Sequence, residues 1–191
     1  YTLKWTGDFE NQQRASKRLA QVVPVSIAII FVILFILFSN ARDAGLVLLN
    51  VPFAAAGGII ALLITHFNFS ISAGIGFIAL FGICIQNGVI MISGIKSNVR
   101  SHIPLSEAVK NTVRSRVRPV VMTAAMAAIG LMPAALSHGI GSESQRPLAI
   151  VIIGGVLCDT FFTLFIFPLI VEVIYGKTLY DKEGKLRQRR V

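Results

Sequence analysis

Five apolar runs, at 22–38, 46–65, 71–95, 120–136 and 148–174, contain no Lys or Arg. A hydrocarbon core about 30 Å thick takes roughly 20 residues of helix, and each run reaches that length alone or with a few flanking residues. A segment inside a bilayer must satisfy its own backbone polar groups, which leaves helices or closed barrels. The runs are too long and too continuously apolar for barrel strands, which alternate over about ten residues. The expected fold is an all-α, multi-pass transmembrane helix bundle of five spans. Composition agrees, since 54% of the 191 residues are hydrophobic and 14% charged, with a mean hydropathy of +0.74. A soluble domain of this length needs far less apolar surface.

The formal charge of +9 would suggest nucleic acid in a soluble protein, but basic residues between apolar spans report orientation instead. Thirteen of the 18 fall on one side of the bundle: Arg42, the connector Lys96–Arg118 and the tail from Lys177 onward. Five fall on the other, namely Lys4, Arg14, Lys17, Arg18 and Arg146. Positive-inside logic puts the N-terminus outside and the C-terminus in the cytoplasm, with the lipid bilayer as partner and no nucleic acid. Cys84 and Cys158 lie in separate apolar runs without CxxC spacing, so buried free thiols are expected. No HExxH, GxSxG or paired catalytic carboxylates occur, so enzyme chemistry is not expected.

The chain then divides into three parts. Residues 1–20 read as the end of a periplasmic domain: "YTLKW" alternates like a strand without a partner strand, and a helix capped by Asp8 runs toward Pro24. A sheet domain is expected upstream of Tyr1. Residues 21–175 form the transmembrane part. Within it, 105–118 carries apolar residues at 105, 109, 113 and 117 and basic ones at 110, 114 and 118, the pattern of a cytoplasmic helix lying on the membrane surface. Residues 176–191 form a basic cytoplasmic tail.

Polar residues at membrane depth are the candidates for function, because each needs a partner there. Gln86 and Asn87 interrupt the third run and should mark an inward face. Arg116 and Thr123 are seven apart, on one helical stripe. Asp159 lies in "GGVLCDTFFTLF", between Gly155 and Thr163 at i−4 and i+4. Inserting an Asp costs about 2.5–3.5 kcal/mol, and each Leu, Ile, Val or Phe returns roughly 0.3–0.6. The 18 such residues between 148 and 174 outweigh it. Asp159 is then a neutral hydrogen-bonded packing residue, an auxiliary proton site, or a metal contact with Cys158 or a neighbouring helix. Met122 and Met91 could touch a soft cation, but Met also fills irregular apolar gaps. The three His residues lack partners at ligand spacing. Gly57, Gly58, Gly82, Gly88, Gly154 and Gly155 are expected where helices approach closely.

Several motifs, "WTGDFENQQRASKRL", "GFIALFGICIQNGVIMIS", "RVRPVVMT", "GLMPAALSHGIGSESQRPLA" and "IIGG", occur in order at compatible spacing. With them the chain resembles the C-terminal part, the last five transmembrane helices, of heavy-metal efflux pumps in the resistance-nodulation-division superfamily. It looks closer to the cobalt-zinc-cadmium and nickel branch than to the copper-silver branch. The resemblance implies proton-driven export of a divalent metal across the bacterial inner membrane by a homotrimer, joined by a periplasmic adaptor and an outer-membrane channel. It implies no cofactor beyond the transported cation and the coupling proton. Arg116 and Thr123 match residues flanking the superfamily's proton relay. Gln86 stands where drug-exporting relatives carry Lys, so their relay cannot be copied across. Asp159 stands where relatives place a small or hydroxyl residue. The rival expectation is a truncated, non-transporting membrane protein that serves as an interaction module.

The orientation is testable by labelling. With Cys84 and Cys158 replaced by Ala, an impermeant maleimide added outside should modify Gly141→Cys and spare Lys185→Cys. The reverse pattern would overturn the topology.

Overall fold

A computed structural model describes residues 8–101, 103–139 and 142–176. They are almost entirely helical, with no strand among them. The strand-like "YTLKW", the basic tail from Lys177 and His102 lie outside the described residues. The elements are α1 (Asp8–Phe38), α2 (Ala41–Leu48), α3 (Asn50–Ile64), α4 (Ile71–Arg100), α5 (Leu105–Leu136) and α6 (Ser142–Phe161). A π-helical turn, Phe162–Ile166, then leads into α7 (167–176). Five stretches are long and apolar enough to cross a bilayer: Gln21–Phe38, Ala41–Ile64, Ile71–Arg100, Leu105–Leu136 and Ser142–Gly176.

Three boundaries depart from the sequence reading, each for a local reason. "SNARDAG" reads as a loop, yet the helix starts at Ala41, capped by Asn40, whose side chain accepts the Arg42 N–H at 3.2 Å. Leu49 separates α2 from α3. Pro52, in the first turn of α3, has no N–H for the carbonyl four residues back, so the break falls where α2 would lose that bond. Residues 105–118 do not form a separate surface helix; they continue without a break into 120–136 as the 32-residue α5, with Pro119 inside it.

The bundle is organised around α6, which packs on α3, α4 and α5. Small residues permit the approach. A Cβ on Gly57 would collide with the Cys158 Cβ and lie 2.8 Å from the Gly154 carbonyl, and one on Gly154 would strike the Ala61 Cβ. Gly155 faces Leu80, Gly58 faces Phe77 at 2.8 Å, and Gly88 faces the Asn50 amide at 2.8 Å. These five meet the expectation of close packing. Gly82 does not, because nothing lies within 4 Å of a Cβ built there. Its side of α4 is open.

Two apolar cores result. Ala54, Leu62, Phe77, Leu80, Val151 and Val156 belong to one. Leu34, Val47, Met91, Ile95, Phe162 and Phe167 belong to the other, where Phe53 of α3 stacks on Phe162 with ring centroids 3.9 Å apart. Much of α1 is exposed, with Ile29, Ile33, Ile36 and Leu37 all more than half accessible.

The glycine contacts predict unequal costs. Gly57→Ala forces α3 from α6 and should destabilise by about 1–3 kcal/mol, whereas Gly82→Ala should stay within about 0.5 kcal/mol of the parent. Thermal unfolding in detergent, followed by circular dichroism, reads the difference; equal effects would contradict the packing described.

Candidate functional site

A helix turns about 100° per residue, so adjacent residues cannot share a face. Gln86 and Asn87 illustrate the rule: Asn87 is buried and Gln86 is exposed. The inward face expected for both holds for Asn87 alone. Its amide Nδ2 donates to Asp159 Oδ2 at 2.8 Å, joining α4 to α6. Thr163 Oγ1, in the π turn, donates to the other carboxylate oxygen at 3.4 Å, and the Cys84 thiol is within interacting reach of the carboxylate. Asp159, Thr163 and Cys84 are fully buried, at 0% exposure.

Asn50 extends the same level onto α3. It is also at 0% exposure, and its Nδ2 donates to the Cys84 carbonyl at 3.4 Å. Its Oδ1 has no hydrogen-bond partner. On each helix the polar residue sits between the two cores: Asn50 between Val47 and Ala54, Asn87 between Leu80 and Met91, Asp159 between Val156 and Phe162. The result is a polar layer across the middle of the bundle.

The other sequence candidates stand elsewhere. Arg116 is half-buried and Thr123 exposed on α5, and Thr123 Oγ1 bonds back to the Pro119 carbonyl at 3.0 Å. Neither is a partner of Asp159 or Asn87. Met91 is core, at 0% exposure, whereas Met122 is 55% exposed. Among the described residues no three His, Cys, Asp or Glu side chains are grouped to hold a metal.

A second polar cluster has no counterpart in the sequence reading. Asp43, on α2, is 1% exposed. Lys96 Nζ donates to its Oδ2 at 2.7 Å, and the Tyr175 hydroxyl donates to its Oδ1. Lys96 also reaches the Phe38 carbonyl at 3.4 Å and sits 5.3 Å from the centre of that ring. Directly, or through Lys96 in the case of α1, this carboxylate ties α1, α2, α4 and α7 together. Lys96 was counted only as a connector charge and Asp43 was not singled out; an acidic residue in the first turn after a capping Asn was the available signal.

Comparison with known proteins places the chain. A family model described as the AcrB/AcrD/AcrF family matches residues 1–175. The chain belongs to that family. It is 44% identical over 177 residues to the cobalt-zinc-cadmium resistance protein CzcA of Cupriavidus metallidurans, covering 93% of this chain and 17% of that protein. It is 46% identical over 178 residues to the protein HelA of Legionella pneumophila, with the same two shares. A crystal structure of a heavy metal efflux pump superposes with a TM-score of 0.78 at 45% identity, over 89% of this chain and 17% of the other. The chain therefore spans about one sixth of the length of these relatives. The resemblance drawn from its motifs is borne out.

Removing one member of a buried ion pair costs about 3–5 kcal/mol, because the other charge is left without a partner. Lys96 is partly exposed, so Lys96→Met should fall at the low end, near 3 kcal/mol. Adding Asp43→Asn should recover part of the loss, and strictly additive unfolding free energies would contradict a coupled pair.

Proposed function

We propose that this chain is the C-terminal membrane portion of a proton-driven transporter that exports divalent heavy-metal cations such as cobalt, zinc, cadmium or nickel. It would act in the bacterial inner membrane within a homotrimer that engages a periplasmic adaptor and an outer-membrane channel. Metal export is inferred from kinship. CzcA is called a cobalt-zinc-cadmium resistance protein, and the nickel-cobalt-cadmium resistance protein NccA of Alcaligenes xylosoxydans xylosoxydans is 41% identical over 172 residues. Identity is lower to the cation efflux system protein CusA of Escherichia coli strain K12, at 34% over 185 residues.

For coupling, one observation carries the proposal: a fully buried carboxylate, Asp159, whose partners can serve both of its protonation states. The Asn87 amide donates through Nδ2 and, turned over, accepts through Oδ1. The Thr163 hydroxyl can likewise donate or accept. A charged Asp159 is met by donors and a protonated one by an acceptor, with no fixed cation needed to hold either state. That suits an auxiliary proton-carrying site between α4 and α6. Gln86, Arg116 and Thr123 lie on or near the bundle's outer faces, and their place in the proton path, if the assembled transporter gives them one, requires helices outside this chain.

Asp159→Asn keeps the shape and the bond to Asn87 but removes the titrating group. In the intact transporter it should reduce proton-driven metal uptake into inverted vesicles by about tenfold or more. Unchanged metal resistance at unchanged expression would sink the proton role and leave Asp159 as packing.

A further inference from the structure

A cleft of about 640 Å³ opens between the end of α1 and the C-terminal half of α4. Ligand sites usually fall between roughly 300 and 1,000 Å³. On α4 its lining residues recur at Val89, Ser93, Lys96, Ser97 and Arg100, one stripe at helical spacing. Ser39 faces them from the turn after α1.

The charge of the cleft can be counted. Lys96 is offset by Asp43 at 2.7 Å, and Arg100 adds a second cation, while among the described residues no carboxylate lines the wall. The sum is one positive charge, which matches the single negative charge of a phosphodiester. Ser39, Ser93 and Ser97 add hydroxyl donors. The rest of the wall is apolar, from Leu37, Phe38 and Val89. Leu37 is 59% exposed, and Ile29, Ile33 and Ile36 continue an exposed apolar surface along α1.

From this combination we infer that the cleft holds the phosphate of an anionic phospholipid, with Arg100 and the serine hydroxyls on the headgroup and the acyl chains along α1. A free phosphate would use the polar wall and leave the apolar one idle. Basic pockets between transmembrane helices bind anionic headgroups by this division of labour. The inference rests on the membrane reading of the chain and is independent of metal export and of Asp159.

The test is retention of lipid. The protein is reconstituted in vesicles of phosphatidylglycerol or of phosphatidylcholine, extracted in mild detergent, and its bound lipid counted by native mass spectrometry. Phosphatidylglycerol should be retained and phosphatidylcholine lost. Arg100→Gln should lower retention about fivefold, the loss of one cation's attraction to an anionic surface. Ser93→Leu, which fills the cleft, should lower it comparably. Both residues are exposed, so helicity and thermal unfolding should not change. Equal retention of the two lipids overturns the inference, as does a preference that survives both substitutions. Inorganic phosphate added alone is the remaining arm: its binding, with no phosphatidylglycerol retained, would overturn the lipid assignment in favour of a soluble anion.

Discussion

The contact between Gly57 and Gly154 sets the geometry on which the bundle depends. With no side chains between them, α3 and α6 meet backbone to backbone, and dispersion gains from that approach replace the hydrophobic drive that lipid cannot supply. Because α6 is held there, its other faces are committed: Gly155 receives Leu80 of α4, and Asp159 turns toward Asn87. The polar layer follows from glycine packing. A wider α3 to α6 separation would leave the Asp159 carboxylate in a gap, where its burial would carry the full cost of an unpaired group.

Among the described residues the two buried carboxylates lie at two levels. At mid-depth a carboxylate is surrounded by neutral partners. At the basic end a carboxylate is held by an ammonium and a phenol. The difference is physical. A countercharge on Asp43 gives that end a clasp between helices, whereas the partners of Asp159 among the described residues are neutral. An auxiliary proton site is proposed at Asp159, and the Asp43 cluster is a scaffold.

Long apolar runs made the helical class and the number of spans legible in the sequence, since length and hydropathy alone decide whether a segment can cross a bilayer. Asp159 was legible as a polar residue on a small-residue stripe, and Thr163 as its neighbour at i+4. The partner across the interface was less so: "QN" offers two amides, and only the rotation of α4 selects Asn87. Gly82 could not be told from Gly88, because a glycine on an open face and one against an amide look alike in the chain. Asp43 was hidden for a different reason. It sits in a polar connector where charge normally means solvent, and its burial depends on α2 folding back against α4. Pro52 carried a signal for the break at Leu49, through a carbonyl left without its usual N–H.

The π turn at Phe162–Ile166 has a bearing on phase. In an unbroken α-helix, Asp159 and Tyr175 would point about 160° apart, on opposite sides of the rod. One extra residue absorbed in a wide turn reduces that angle to about 60°. Phe167 N–H bonds the Phe162 carbonyl, five residues back, and beyond it the helix is re-timed. The last span can thereby turn both its mid-depth carboxyl and its terminal phenol into the bundle, the first toward Asn87 on α4 and the second toward Asp43 on α2. The two polar levels are thus linked by the winding of one helix, and a change of one residue in that winding would uncouple them while leaving every apolar residue in the membrane.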